Sequence, residues 1–476
     1  MSVKLRPYTE YKDPGVPWLG RVPSDWDVVR LKHASDQIVC GATPASSAAE
    51  NWDGDIVWAT PADVGKSRWL RDSQRQITDA GLASCSARLV PRGSIILTCR
   101  APIGGVALAA MPLCTSQGCK SIIPNASRLH SVFGFYLMGA MKHHLQSLGS
   151  GTTFPEISTD VLAGTEIPIP PLHMQRQIAA FLTRVDLTVR RLIRAKRRQI
   201  ELLNEQKQVI INWAVTRGLN PNTPLKQSGI YWLDEIPAHW NLRKLKCLVD
   251  ITSGQVDPRV EPYRRQVLVA PNHVESGTGR ITYEETAADQ GADSGKYLVQ
   301  EGQIIYSKIR PNLRKAAVAL RDCLCSADMY PLSPNELELR TEFLLTLLLS
   351  DPFTRYALDC SMRVAMPKIN RDALRQCWLW YPSLSEQDEI LRALSTEIAP
   401  LDTLVYAARR QIDLFREYRT RLIADVVTGK LDVRGVELPD LEDADIAYDL
   451  GDSDLDSDTD QDDLPDAEEV EADDED

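Results

Sequence analysis

The chain has 476 residues, of which 43% are hydrophobic and 25% charged, a composition typical of globular proteins with more than one core. It contains no run of about 18 apolar residues, which excludes a transmembrane helix, and residues 1–17 lack the apolar segment of a signal peptide. The ten cysteines form no CxxC pair, which argues against common zinc and redox motifs. We therefore expect a cytoplasmic protein with reduced thiols.

The net charge of −12 is unevenly distributed along the chain. Residues 437–476 contain 21 acidic residues and no Lys or Arg, whereas the rest of the chain has 54 basic and 45 acidic residues. A segment with so many like charges and few apolar residues cannot bury enough apolar surface to fold alone. We predict a mildly basic folded body followed by a disordered acidic tail over residues 435–476.

The first part of the chain, residues 1–172, is predicted to be a mixed α/β domain. It opens with the motif Gly15-Val16-Pro17-Trp18-Leu19. Short β-branched runs bounded by Gly and Pro follow, such as Gly93–Thr98. An apolar pattern predicts a helix over residues 133–143.

A long helix is predicted next, over residues 173–219. Ile169-Pro170-Pro171-Leu172 forms a rigid lead-in to it. Apolar residues then recur at the heptad positions of a coiled-coil seam, which is broken by Asp186, Lys196 and Lys207.

The second half repeats the motifs of the first domain. Gly229-Ile230-Tyr231-Trp232-Leu233 matches the opening motif at an offset of 214. Gly302-Gln303-Ile304-Ile305 matches Gly93-Ser94-Ile95-Ile96 at an offset of 209. We predict a second mixed α/β domain over residues 220–384.

The long helix is repeated as well. Residues 154–219 align with residues 366–431 at a constant offset of 212, without a gap, and about a third of the positions are identical. Chance does not hold one register over that length, so the chain is a tandem duplication of a domain plus a helix. The second helix is predicted over residues 385–434.

The second helix has a more regular seam, with Arg419 as its one polar break. Ser385 and Asp388 resemble an N-terminal capping box. Pro400 lacks a backbone N–H, which predicts a kink or a restart of the helix there.

The length of the helices favours pairing between them over ordinary packing against one domain. Val185 to Arg217 is about 33 residues, or roughly 50 Å of helix. If a pseudo-two-fold axis relates the repeats, the helices pair antiparallel and the two domains lie at opposite ends of the rod. A spacing of roughly 50 Å is about one and a half turns of B-DNA.

No sequence motif for catalysis is found. Gly291 to Lys296 is one residue short of a phosphate-binding loop and is followed by Tyr297. Ile169-Pro170-Pro171-Leu172 lacks both the polar residue and the aromatic residue of a DNA methyltransferase tetrapeptide. His143-His144 fits surface or cap use better than metal binding. We expect a non-catalytic chain with no cofactor or metal of its own.

The repeated elements resemble the specificity subunit of type I restriction-modification systems. The resemblance covers residues 14–434 and is carried by a combination of segments. These are residues 229–240 (GIYWLDEIPAHW), the 167–172 lead-in with Gln175 and Ile178, residues 214–219 (AVTRGL) and residues 428–433 (TGKLDV). The acidic tail departs from the pattern, because that family tends to end near Val433.

This resemblance implies an α+β fold. Two mixed α/β target recognition domains are each followed by a long helix, and the helices pair as an antiparallel coiled coil. Each domain would read one half of a bipartite asymmetric site in double-stranded DNA. The partners would be two DNA methyltransferase subunits, which methylate adenine, and restriction/translocase subunits. S-adenosylmethionine, ATP and Mg would be bound by those partners. No membrane association is implied.

Candidate DNA contacts lie beside the repeated Gly-Ile-Ile strand, on loops bounded by proline. Arg and Lys match guanine edges, Gln matches adenine edges, and phosphate contacts need only positive charge. The candidates are Arg100, Gln117 and Lys120 in the first domain and Lys308, Arg310, Arg314 and Lys315 in the second. For each of these, a solvated surface charge is the alternative.

Two further points remain open. Trp18, Trp26, Trp232 and Trp240 occupy matching places in two domains that should read different bases, which favours packing over base stacking. The alternative functions are a scaffold that binds only protein and a specificity subunit that serves a methyltransferase without restriction.

Overall fold

A computed structural model describes residues 5–151, 155–361 and 367–436. The chain divides into two compact units. Among the described residues, the first unit comprises those up to Lys196 and residues 410–436, and the second comprises those within Arg197–Arg409. Each unit therefore contains one predicted recognition domain and part of each long helix. The predicted tail lies outside the described residues, apart from its first two residues.

The first unit begins with a mixed α/β domain, as predicted. Its strands are Tyr11–Lys12 (β1), Val22–Pro23 (β2), Asp27–Arg30 (β3), Ser35–Cys40 (β4), Trp52–Ala59 (β5), Trp69–Leu70 (β6), Gln76–Ile77 (β7), Ile95–Thr98 (β8), Val106–Ala109 (β9), Cys114–Thr115 (β10), Cys119–Pro124 (β11) and Glu166–Ile169 (β12). Its helices are Asp79–Ala83 (α1), Ser131–Ala140 (α2), Lys142–Leu148 (α3), Thr159–Gly164 (α4) and the first long helix, Leu172–Arg217 (α5), whose last part belongs to the second unit.

The main sheet of the first unit has the order β4-β11-β8-β9-β6, and a smaller sheet has the order β10-β5-β7. Strand β8 is central, and Ile95, Ile96 and Leu97 are fully buried. Gly93 precedes β8 with φ +86°, a conformation that residues with a Cβ rarely adopt. The predicted helix over 133–143 is found as α2 and α3, which are interrupted at Met141.

The second unit is built in the same way. Its strands are Leu225–Ile230 (β13), Leu233–Pro237 (β14), Asn241–Lys244 (β15), Val249–Ile251 (β16), Gln255–Val256 (β17), Leu268–Val269 (β18), Lys296–Val299 (β19), Ile304–Ser307 (β20), Ala316–Val318 (β21), Cys323–Cys325 (β22), Met329–Pro334 (β23) and Trp378–Tyr381 (β24). Its helices are Thr341–Leu348 (α6), Asp351–Ser361 (α7), Arg371–Gln376 (α8) and the second long helix, Leu384–Val427 (α9), whose last part belongs to the first unit.

The sheet order of the second unit repeats that of the first. The order β16-β23-β20-β21 corresponds to β4-β11-β8-β9, with antiparallel pairing throughout both sets. Gly302, with φ +84°, precedes β20 as Gly93 precedes β8. Topology is thus retained where sequence similarity is almost lost, because buried apolar strands tolerate exchange of one apolar residue for another.

The long helices correct two details of the sequence interpretation. Helix α9 begins at Leu384, and the side chain that accepts from its first turn is Ser383, whose Oγ lies 3.4 Å from the Glu386 backbone N. The predicted cap at Ser385 is therefore wrong. Of the kink or restart predicted at Pro400, the restart is also wrong, because α9 continues through Pro400, and the kink stays a prediction. One missing hydrogen bond costs less than the burial of Val405 and the later seam residues provides.

The motif tryptophans mostly serve packing. Trp26, Trp232 and Trp240 are no more than 3% exposed and belong to the two main cores. Trp18 is partly buried and stacks on His144, with ring centroids 5.2 Å apart. The packing interpretation holds for the three buried rings, since a base cannot reach them.

Candidate nucleic-acid interface

In the first domain, three loops meet at the end of β8. The backbone N–H groups of Cys99 and Arg100 both donate to the carbonyl of Gly118, at 2.9 and 3.2 Å. This places Arg100 next to the turn that carries Gln117. Arg100 also forms an antiparallel bridge with Glu156, on a third loop. The sequence-predicted residues of the first domain are therefore brought together.

Glu156 organises the charges of this loop cluster. Its Oε2 accepts from Arg100 Nη2 at 2.6 Å and Nε at 3.1 Å, and its Oε1 lies 3.4 Å from Lys120 Nζ. The hydrogen bonds from Arg100 lower the pKa of the Glu156 carboxyl below its usual value, against the opposing effect of burial. The carboxylate is thus ionised beside two cations, and the cluster carries one net positive charge.

The three predicted residues differ in accessibility. The Arg100 side chain is 41% exposed and Gln117 is exposed, whereas Lys120 is 1% exposed. Lys120 would have to leave Glu156 and its strand environment to meet a base. In this structure Lys120 forms an ion pair with the Glu156 carboxylate. Its predicted contact with DNA stays a prediction.

In the second domain, the predicted residues surround a single helical turn, Pro311–Leu313, just after β20. Arg310 and Arg314 flank this turn with φ +45° and +50°. Left-handed backbone at residues other than glycine costs roughly 1–3 kcal/mol and is concentrated at functional sites. The contacts of the turn hold it in place, because the Arg310 backbone N donates to the Pro367 carbonyl at 2.9 Å.

The four cations of this turn have different surroundings. Arg310 is exposed. Lys308 donates to the Ala327 carbonyl at 2.7 Å and lies over the Tyr330 ring. Arg314 pairs with Asp351 at 2.6 Å, and Lys315 is only 7% exposed. Arg310 is thus the most accessible of the four, followed by Arg314 and Lys308, which are 24% and 21% exposed.

One residue pair that the sequence interpretation missed distinguishes the two sites. Ile309 bridges Lys368 in the second domain, as Arg100 bridges Glu156 in the first. Glu156 and Lys368 occupy the same place in the repeat, at the offset of 212, and Lys368 is exposed. The constant offset was the signal that could have found them. The two domains therefore present different charges on one scaffold.

The part of the chain that the structure describes also bears on metal binding and on membrane insertion. No group of three or more His, Cys, Asp or Glu side chains is arranged to hold a metal ion there. None of its helices combines the length and the apolar content needed to span a bilayer.

Comparison with known proteins agrees with this duplicated architecture. The family model described as type I restriction modification DNA specificity domain matches residues 23–202 and again residues 239–411. The chain belongs to this family. It is a type I specificity subunit with two target recognition domains, and its family is defined by specificity for DNA sequence.

Individual specificity subunits match over much of their length. The MjaIX specificity subunit of Methanocaldococcus jannaschii is 28% identical, over 90% of this chain and 98% of that protein. The EcoDI specificity subunit of Escherichia coli is 30% identical, over 65% of this chain and 72% of that protein. Among solved structures, a chain from work on complex assembly and conformational transition of a type I system has a TM-score of 0.58 at 18% identity. The match covers 86% of this chain and 99% of the solved chain, which supports the fold.

Proposed function

We propose that this specificity subunit reads a bipartite asymmetric site in double-stranded DNA, one half with each recognition domain. The observation that carries the proposal is the pair of equivalent loop clusters with different charges. Arg100 and Gln117 lie with Glu156 in one, and Arg310 lies with Lys368 in the other. Two similar scaffolds with different exposed side chains suit two different half-sites.

We propose further that the long helices pair as an antiparallel coiled coil. Within the first unit, Gln177 contacts Val433 and Asp186 contacts Arg419. Within the second, Lys207 contacts Asp402, and Gly218 lies beside Glu386. Val433 and Gly218 lie just after the ends of α9 and α5. In each unit the residue number rises along one of the two segments as it falls along the other, which supports the antiparallel direction.

The chain would bind two methyltransferase subunits, and restriction/translocase subunits would join that complex. Leucines that are 40–49% exposed occur at the same repeat positions on both long helices, Leu192 with Leu404 and Leu202 with Leu414. Exposed apolar residues that recur in both copies fit the docking of one kind of partner twice. S-adenosylmethionine, ATP and Mg would belong to these partners, and this chain would supply recognition without catalysis.

The test is co-expression with a type I methyltransferase subunit that assembles with this chain, followed by sequencing of methylated bases in cellular DNA. The proposal expects methylated adenines within one bipartite, asymmetric motif, and none without this chain. Methylation in a single continuous motif would contradict the proposal that each recognition domain reads one half of the site. If the assembly shows no sequence-selective DNA binding, the alternative of a scaffold that binds only protein is favoured. Restriction assays of the same cells then separate a complete restriction system from a methylation-only one.

A further inference from the structure

A carboxylate on the first long helix joins three parts of the first unit. Asp186 Oδ2 accepts from Nη2 of Arg68, in the recognition domain, at 2.7 Å. Its Oδ1 accepts from Nε of Arg419, on the second long helix. Arg190, one turn along the same helix, donates to Oδ2 at 2.6 Å. We call Arg68, Asp186 and Arg419 the first ion-pair triad.

The second unit contains a matching arrangement. Asp402, on the second long helix, accepts at Oδ2 from Nη2 of Arg280, in the second recognition domain, at 2.8 Å. Its Oδ1 accepts from Nζ of Lys207, on the first long helix, at 2.6 Å. Arg280, Asp402 and Lys207 form the second ion-pair triad. In both triads a helix carboxylate holds an arginine of its own domain and a cation of the other helix.

The duplication relates the two triads. The offset of 212, which holds over residues 154–219, places Lys207 on Arg419. Arg68 and Arg280 lie in the diverged segments, and each is the arginine through which its own domain contacts a helix carboxylate. The carboxylates differ by one further helical turn, since the position equivalent to Asp186 is Ile398. Asp186, Lys207 and Arg419 are also breaks in the apolar seams. Both repeats thus contain a helix carboxylate that pairs with two cations. The two carboxylates lie one helical turn apart in the aligned repeats.

The triads differ in burial. Arg68 and Asp186 have side chains 1% exposed, whereas Arg280 is 58% exposed and Asp402 30% exposed. A turn at residues 275–280 gives the second domain one more ion pair with a long helix, between Glu275, which is 19% exposed, and Arg409, which is 53% exposed, at 2.6 Å. Asp402 and Arg409 are seven residues apart and so share a helix face. Exposed pairs are weak and are screened by salt, but buried pairs are screened much less.

We propose that the two triads are positioning devices that seat each recognition domain on the long helices, and that Arg280 limits the spacing between half-sites that this chain accepts. The inference rests on the proposed function, because spacing has meaning only for a bipartite site. Each carboxylate holds two cations at once, so a shift of the domain along the helices breaks a contact on one side. In the second triad the contact between the domain and the helix, from Arg280 to Asp402, is the more exposed one, and we infer that the second domain is held less firmly.

The experiment uses the whole assembly with its methyltransferase. Two DNAs compete for methylation: one carries the preferred site, and the other has the same half-sites with the spacer changed by one base pair. We expect Arg280→Met to raise methylation of the altered spacer relative to the preferred one by about two- to fivefold, as loss of an exposed ion pair allows. The recognised bases should not change. Because phosphate contacts act alike on both DNAs, they cancel in this ratio.

Arg321→Met is the matched control. Arg321 pairs with Glu284 at 2.9 Å, is 62% exposed and lies in the same domain, but its partner is not on a long helix. We expect the control to leave the ratio at the wild-type value. Equal ratios for the two variants would overturn the inference while leaving the proposed function intact. If the wild-type assembly methylates no bipartite site, the proposed function fails, and the inference fails with it.

Discussion

Gly429 packs against Pro23, at the other end of the chain: a Cβ added to Gly429 would lie 2.3 Å from Pro23 Cδ and 3.2 Å from Trp26 Cζ3. Gly429 also has φ +77°. Nearby, the Asp432 backbone N donates to the Arg6 carbonyl at 2.8 Å. The end of the second repeat therefore completes the unit that the first residues of the chain begin.

We predict that Gly429→Ala lowers the free energy of unfolding by roughly 1–3 kcal/mol, because the new methyl group meets the Pro23 ring and the backbone conformation disfavours a Cβ. Denaturant unfolding followed by circular dichroism measures the change. The control is Gly435→Ala, since an added Cβ there has no heavy atom of the described residues within 4 Å. Equal midpoints for the two variants would contradict the close packing.

Asp186 gives a prediction about pH. Burial raises the pKa of its carboxyl, but Arg419, Arg190 and Arg68 outweigh burial and hold the pKa below its usual value. A carboxyl group whose pKa folding lowers stabilises the protein above its unfolded pKa, about 3.9, and this stabilisation is lost as pH falls through the folded pKa.

Asp186→Asn should therefore lower the free energy of unfolding at pH 7 by about 3–5 kcal/mol, because three arginines lose their carboxylate. The difference from wild type should shrink as pH falls below about 4. Unfolding curves across pH measure this. Asp413→Asn is the control, as its carboxylate is 62% exposed and 3.6 Å from Arg416. If the difference in free energy of unfolding between wild type and Asp186→Asn stays constant down to acid pH, the lowered pKa of Asp186 is refuted.

Arg100 tests the first loop cluster. We expect Arg100→Gln to cost about 1–3 kcal/mol of DNA-binding free energy and to relax selectivity in one half of the target only. Sequencing of methylated bases together with binding to half-site variants measures both effects. Arg88→Gln is the matched control, because Arg88 is an exposed arginine of the same domain and is not one of the predicted DNA contacts. Relaxed selectivity in both halves, or identical results for the two variants, would count against the assignment.

The duplication predicts modular recognition. Replacing residues 34–150 with the matching segment of another specificity subunit should change one half of the methylated motif and leave the other half intact. The reason is that the loop cluster around Glu156 is built within the first unit. Its measurement is the methylated motif of cells that express the chimera. Simultaneous change of both halves would mean that the domains do not read independently.

The acidic tail provides a prediction from the sequence alone. Its 21 acidic residues are tethered to a body of net positive charge and should compete with DNA phosphates at high local concentration. Truncation after Arg434 should raise nonspecific DNA affinity at low salt, and the gain should shrink as salt rises. Titrations with unrelated DNA at two salt concentrations measure this. If affinity is unchanged at low salt, the tail serves solubility through charge repulsion instead.

The sequence alone predicted the architecture because its signals are local or periodic. The constant offset of 212 revealed the duplication, and heptad spacing predicted long helices that the structure places at Leu172–Arg217 and Leu384–Val427. The repeated Gly-X-Ile-Ile motif, in which X is any residue, predicted the buried central strands β8 and β20. Helix caps and the effect of Pro400 were less predictable, because tertiary packing outweighs the preference of a single residue.

Tertiary structure decided the role of each charge. Lys120 could be read as a surface cation, but it is buried against Glu156, which is 36 residues away in the chain. In the sequence, Asp186 and Arg419 are separate polar interruptions of two apolar seams. In the structure they form an ion pair, although 233 residues separate them in the chain. Sequence gives the sign and the spacing of charges. Whether a charge faces solvent or an opposite charge depends on contacts between distant segments, and those exist only in the folded chain.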